Sequence, residues 1–372
     1  MLYNAPELDQ RELEVVAEID TIRDELSSQI AHPNQWFAHL RRATMARNVQ
    51  AARAIDPKAT GVEDAAVAVL SGAQTTPTLV AWQTAANYRD VGNFIVQLTQ
   101  DPHFAHHDSL VRVVHFMLTR HDPKASPGLY RTGPVYIWNA ASGRRVYDAP
   151  RHTEIALRVK ELADHLADGA WGSTLVRAAM THLNLLMIHP FVDGNGRVAR
   201  TFETLVMSTE RNWWPELCGV EEYLGLHTDR YYEAMQTAGG ATWTPSSDTR
   251  PWIRFVLTAH YHQAHNLASR VRLTHNAWLI LESYTQREGL APHTVPLLCE
   301  AAMGAEVNRV SYRSISTVTE QQATHDLGQL SGMGLLTPSS DGNEAFVASD
   351  KLRVLSEVTN AQPEWATDPF NS

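Results

Sequence analysis

HPFVDGNGRVAR, residues 189–200, decides how this chain is read. Just upstream, Leu175, Ala179, Leu183 and Leu186 recur at helical spacing. Pro190 lacks an amide proton and pushes the residue before it out of helical geometry, so a helix is expected to stop at His189. A new helical pattern begins around residues 197–198 and runs to about Glu210. Between the two, Gly194 and Gly196 flank Asn195, and glycine lets successive amides turn inward with no side chain in the way. Such a turn feeding a helix N-terminus makes a nest of N–H donors suited to a phosphate. Arg197 and Arg200 add fixed positive charge in a fork that matches phosphate oxygens. Asp193, immediately before the glycines, is placed to hold a Mg²⁺ that keeps its waters and bridges phosphates. His189 carries the one side chain whose ordinary pKa permits proton uptake near neutrality. Phe191 is the expected apolar anchor of the loop. Each piece alone is ordinary. Their conjunction in twelve residues, bracketed by two helices, points to phosphate chemistry.

Outward from this stretch the pattern is mainly helical. Leu13, Val16, Ile19, Ile22, Leu26 and Ile30 form an amphipathic stripe near the start. Asp56-Pro57 and Asp101-Pro102 are breaks, with helical stretches expected over 62–70 and 78–99. Between Pro127 and Pro150 the texture changes: PVYIWN, a turn around AASGRR, and VYDAP read as a β-hairpin in an otherwise helical protein. TPSSDTRP, residues 244–251, is a loop, after which Trp252, Phe255 and Val256 resume a helix. Beyond about residue 270 a helix-like stretch, TEQQATHDLGQLSGMG, precedes two extended arms around Asp341-Gly342, the outline of a winged helix. Three regions are therefore expected: 1–99 helical, 100–262 containing the phosphate loop, and 270–360 a small winged-helix domain.

Composition narrows the classes. At 372 residues with 44% hydrophobic and 19% charged residues, the chain can bury more than one core. A net charge of −10 argues against a surface built to grip nucleic acid. The stretch 319–334, the expected recognition helix, has no Lys or Arg, so dimerisation or target capture suits the last region better than DNA. Cys218 and Cys299 form neither a disulfide framework nor a zinc spacing. No basic-then-apolar leader and no run of about 18 apolar residues is present, so a cytoplasmic, soluble protein is expected. The histidine groups 103, 106, 107 and 260, 262, 265 lack a partnered carboxylate at a metal-binding spacing.

At residues 189–200 the sequence resembles the Fic family, whose signature HxFx(D/E)GNGRxxR it matches at every specified position. GLYR at 128–131 is similar to an element before that family's hairpin, RRVYDAP to its target-docking flap, and DRYYEAMQTAGGATWTP to the segment beyond the signature. The resemblance implies a helical bundle with a β-hairpin flap that transfers AMP from Mg-ATP to a Tyr, Thr or Ser hydroxyl of a protein, with self-modification. It implies His189 as general base, Asp193 as the Mg²⁺ ligand, and Gly194, Asn195, Gly196 and Arg197 as the phosphate cradle. Arg200 would meet the distal phosphate, Tyr231 or Tyr232 would flank the adenine, and targets would dock along Val146, Tyr147 and Asp148. The same fold could transfer UMP, phosphocholine or phosphate, or serve as a non-catalytic nucleotide-binding regulator.

The chain departs from the family at its self-inhibitory motif, (S/T)xxxE(G/N), whose glutamate pairs with the last arginine of the signature. The nearest counterpart, AARAIDP at 51–57, has Ala52, Asp56 and Pro57 at the three marked places. Asp56 keeps the charge on a shorter side chain, so a weak or lost brake is expected.

Overall fold

Residues Thr174–Ile188 form a helix buried on every side, and the rest of the larger core is arranged around it. The computed structural model describes residues 1–30, 35–55, 79–139, 144–211, 213–339, 344–356 and 367–370. In chain order come α1 (Gln10–Ile30), α2 (Gln35–Ile55), α3 (Leu79–Thr99) and α4 (Asp108–Thr119), then β1 (Tyr136–Asn139) and β2 (Arg144–Asp148). They are followed by α5 (Ile155–Ala167), α6 (Thr174–Ile188), α7 (Asn195–Arg211), α8 (Pro215–Cys218), α9 (Glu221–Leu226) and α10 (Thr228–Gly239). The long α11 (Arg250–Arg287) leads to α12 (Val295–Ala302), α13 (Arg309–Ile315), α14 (Glu320–Gly332), β3 (Leu336–Pro338), β4 (Phe346–Ala348) and α15 (Asp350–Leu355). The fold is mainly α, as the periodicity implies. The stretch 62–70, the Asp341-Gly342 turn and Asp56 lie outside the described residues.

α6 begins on a Ser173 cap, whose side chain accepts from Val176 N, and α7 packs along it. Trp252 of α11 is fully buried against α6 and donates its indole N–H to the Ala179 carbonyl at 2.8 Å. The first residues also enter this core. Tyr3 is buried, its amide donates to Asn184 Oδ1 at 2.9 Å, and its hydroxyl donates to the Gly239 carbonyl at 2.9 Å.

The α1 stripe faces the core from Val16 to Ile30 and departs from expectation only at its first member. Leu13 is exposed, whereas Glu12 and Val15 are buried. The cause is electrostatic: Glu12 accepts from Arg250 Nη1 at 2.6 Å and Arg254 Nε at 2.8 Å, so the acid is drawn inward and Leu13 turns out.

The hairpin forms where expected, with β1 antiparallel to β2, Tyr136 opposite Asp148, and a register irregularity between Ile137 and Trp138. The region boundary expected at 262–270 falls inside α11, a single 38-residue helix running from the larger core into a smaller one. That smaller core is built on Leu297, Leu298, Tyr312, Leu327 and Leu330, with β3 and β4 paired antiparallel beside it. Glu300 of α12 accepts from His39 and Arg42 of α2 at 2.9 and 2.5 Å, tying the small core to α2. Among the described residues no helix is long and apolar enough to cross a membrane.

Candidate active site

The loop between α6 and α7 is built from the backbone outward. α6 ends at His189, which takes a left-handed conformation (φ 49°, ψ 59°) and returns its amide to the Leu185 carbonyl at 3.1 Å. The Asn195 side chain then grips both backbone groups of Phe191, accepting from its N–H and donating to its C=O, each at 2.9 Å. That staple holds the first turn of α7, which starts at Asn195, earlier than the sequence pattern places it. Phe191 is fully buried and stacks on His115 at 3.6 Å between ring centroids, with 6° between planes.

His115 is a residue that sequence reasoning passed over. Its Nδ1 accepts from Gly128 N at 2.9 Å, and its Nε2 donates to the Asp193 carbonyl at 3.0 Å. One nitrogen accepting and the other donating makes it a neutral imidazole. Burial pushes its pKa down to about 4, the Asp193 carbonyl only partly opposing. A buried histidine on the face of α4 that carries Val111, Val114 and Leu118 was the available signal. Arg131, in the GLYR element, works from the other side. It donates to the carbonyls of His189 (2.8 Å), Gly133 (2.8 Å) and Pro150 (2.6 Å), joining the end of α6 to the segments flanking the hairpin.

The chemical groups sit on this frame. His189 donates Nδ1–H to the Leu186 carbonyl at 3.2 Å, which leaves Nε2 as the lone-pair nitrogen. Burial, outweighing that hydrogen bond, brings its pKa down to about 4. Gly194, at φ 82°, gives its amide to Asp193 Oδ1 at 2.7 Å, so this N–H points at the neighbouring carboxylate. Val198 N is the first to bond back, to Gly194 O at 3.0 Å, which leaves the Asn195 and Gly196 amides ahead of the helical ladder. Arg200 is buried beneath Gly196, and its Nε and Nη2 have no hydrogen-bond partner among the described residues. Orphaned guanidinium donors at a helix N-terminus are what a phosphate oxygen would satisfy. Around Arg200 stand the hydroxyls of Tyr88 and Tyr231 and the carboxylate of Glu221. Glu221 is buried; burial raises its pKa while Arg200 opposes the rise. It is a second residue the sequence did not single out.

The remaining sequence candidates divide. Tyr231 is enclosed at 2% exposure, its hydroxyl 3.1 Å from His182 Nε2. Tyr232 is 45% exposed and donates to the carbonyl of Ile55, the last residue of α2. In the flap, Tyr147 is buried and donates to the Met187 carbonyl at 2.8 Å, pinning the hairpin to α6. Asp148 N already donates to the Ala241 carbonyl at 2.9 Å, and Val146 is half-buried. The histidines of α11 have partners elsewhere: His260 on Glu203, His262 stacked on Tyr223, and His265 on Glu18. Among the described residues no group of three His, Cys, Asp or Glu could hold a metal ion. Asp193, a single carboxylate with one oxygen on an amide, suits a hydrated ion that takes its other ligands from phosphates.

Residues 105–207 match the family model described as Fic/DOC family. This chain carries a Fic domain. It is 30% identical over 154 residues to protein adenylyltransferase fic-1 of Caenorhabditis elegans, covering 40% of this chain and 26% of that protein. The identity to protein adenylyltransferase Fic of Culex quinquefasciatus is also 30% over 154 residues, covering 40% and 25%. The chain thus spans about a quarter of the length of these curated relatives. In fold it is similar to the crystal structure of a Fic family protein from Desulfovibrio desulfuricans G20, with a TM-score of 0.61 at 20% identity over 93% of this chain and 98% of that one. Fic-1 from C. elegans gives a TM-score of 0.52 at 19% identity, covering 69% and 71%. The matched residues contain α4, the hairpin, α5, α6 and the signature loop from His189 to Arg200, whereas Tyr88, Glu221 and Tyr231, which surround Arg200, lie outside them.

Proposed function

We propose that the Fic domain transfers AMP from ATP to a hydroxyl side chain of a protein target, including the chain itself. The observation that carries this reading is the state of His189: an imidazole held neutral, with its proton on Nδ1 and its lone pair on Nε2, at the head of a phosphate-binding loop. The target hydroxyl attacks the α-phosphorus as its proton passes to His189 Nε2. The new O–P bond forms as the bond to the bridging oxygen breaks, and pyrophosphate departs with that electron pair. The Asn195 and Gly196 amides, with Arg197, receive the charge on the transferring group, and Arg200 meets the distal phosphate. Asp193 would hold a Mg²⁺, which when bound supplies charge neutralisation to the phosphates. The names of the relatives, protein adenylyltransferase, support AMP over UMP, phosphocholine or phosphate as the transferred group.

The test is His189→Ala. Transfer from labelled ATP to lysate proteins should fall by about 10²- to 10⁴-fold, the range for loss of a general base. The ATP-induced thermal shift should persist, because His189 acts on the hydroxyl and not on the phosphates. Full transfer in this variant would sink the mechanism, and labelling from UTP in preference to ATP would change the transferred group.

A further inference from the structure

Behind Arg200 lies a chain of buried polar groups that the chemistry above does not use. Glu203 of α7 accepts from His182 Nδ1 at 2.6 Å on one oxygen and from His260 Nε2 at 2.8 Å on the other. His182 Nε2 is 3.1 Å from the Tyr231 hydroxyl, whose pKa burial raises while the Arg200 charge opposes the rise. On the far side, Arg23 Nη2 reaches His260 Nδ1 at 2.8 Å. All six side chains are at most 3% exposed.

The chemistry of these groups leaves one consistent order of protons. A guanidinium can only donate, and a carboxylate can only accept. His260 Nδ1 therefore accepts from Arg23, and its proton is on Nε2, facing Glu203. At the other end Glu203 takes the His182 Nδ1 proton, so Nε2 of the neutral imidazole accepts from the Tyr231 O–H, and the hydroxyl oxygen is left turned away from His182. Donors run inward from Arg23 at one end and from Tyr231 at the other and converge on the single carboxylate. Burial pushes the Glu203 carboxyl up, and the two imidazoles more than offset this, holding it down at about 2. It is therefore charged throughout the neutral range.

We propose that Glu203 is a positioning residue for Arg200: through His182 it orients the Tyr231 hydroxyl so that its oxygen, not its proton, faces the guanidinium. Arg200 is thereby held against one side of its pocket, with Nε and Nη2 left for a phosphate. The inference rests on the reading of Arg200 as a contact to the distal phosphates of ATP.

The experiment compares ATP with AMP binding by calorimetry in the full chain, using Tyr231→Phe and Glu203→Gln. Tyr231→Phe removes one oxygen and no buried charge, so it stays informative if Glu203→Gln folds poorly. Both variants should lose about tenfold or more in ATP affinity, the scale for a hydrogen bond to a charged group, with AMP affinity unchanged within about twofold. Equal loss for ATP and AMP, or no loss for either, would overturn the positioning role while leaving the AMP-transfer reading intact. A wild-type chain that binds ATP no better than AMP would overturn both. Without nucleotide, ¹⁵N imidazole spectra at pH 7 should show His182 protonated on Nδ1 alone. A doubly protonated or Nε2-protonated His182 would reverse the tyrosine and overturn the proposal.

Discussion

The two glycines of the signature should answer an alanine substitution in opposite ways. At Gly194 the backbone has φ 82°, where an L side chain is strained by about 1–2 kcal/mol. The added Cβ would also lie 3.0 Å from Thr119 Cγ2 and 3.5 Å from His115 Cδ2, both on a packed helix, so the loop itself must move. Restricting the unfolded chain returns about 0.4–1 kcal/mol, and the net cost of Gly194→Ala is about 1–3 kcal/mol. Gly196 has ordinary helical geometry in the first turn of α7. There alanine gains up to about 1 kcal/mol in helix propensity. Its Cβ meets only Arg200 Nη1, at 3.3 Å, the end of a flexible side chain that can shift by a few tenths of an ångström. Gly196→Ala should therefore be as stable as wild type or slightly more so, yet weaken ATP binding by displacing the guanidinium. Urea unfolding followed by tryptophan fluorescence reads both: at unchanged slope, Gly194→Ala should lower the midpoint by about 0.5–1 M and Gly196→Ala should not. A Gly194→Ala midpoint at or above wild type, or a Gly196→Ala midpoint below it, would refute the conformational reasoning.

Arg131→Ala strips four carbonyls of a charged donor, three of them at 2.6–2.8 Å and Ile188 at 3.4 Å; each short bond contributes about 1.5–3 kcal/mol, and with partial rescue by water the change should destabilise by about 3–5 kcal/mol. Arg131→Lys, with a single point of donation, should recover less than half of that midpoint loss, and full recovery would show that charge alone suffices. His115 and His189 titrate near 4 when folded against an ordinary 6.5, so between those values the unfolded chain binds more protons and stability falls as pH drops. Each contributes a slope of up to about 1.4 kcal/mol per pH unit, visible as a falling urea midpoint from pH 6.5 to 4.5 that His115→Asn should make shallower. Over the same range transfer by still-folded protein should stay flat down to about pH 5.5; a rate that halves near 6.5 would mean His189 is not held neutral. Val146→Pro removes a backbone donor at the flap edge ahead of Asp148, whose own amide is already taken. Labelling of protein targets should fall while the ATP-induced thermal shift stays, and unchanged labelling would remove the flap from target docking.

What short stretches of backbone decide was legible from the residues alone. Pro190 ends α6, Gly194 supplies the left-handed turn, alternation makes the hairpin, and the spacing of His189, Asp193, Arg197 and Arg200 marks the loop proposed to meet a phosphate. These follow from local sterics and from chemistry confined to twelve residues. The continuity of α11 through 262–270 is local too: residues 262–272 contain neither Gly nor Pro, so nothing there interrupts the helix.

Tertiary structure decided which distant side chains complete the site. His115 reaches the signature loop from 78 residues away, and Arg131 reaches His189 from 58. At the start of α1 Glu12 is buried and Leu13 faces out, because Arg250 and Arg254 wait on α11. Tyr231, one of a pair equally placed for an adenine contact in the sequence, is enclosed beside His182, while its neighbour Tyr232 stays partly exposed. Burial is what gives these groups their roles, since it neutralises His115 and His189 and leaves the buried Arg200 donors in need of an acceptor. Burial belongs to the packed chain and to no segment of it, so the sequence determined the loop that would meet a phosphate, and only the fold decided what holds that loop in place.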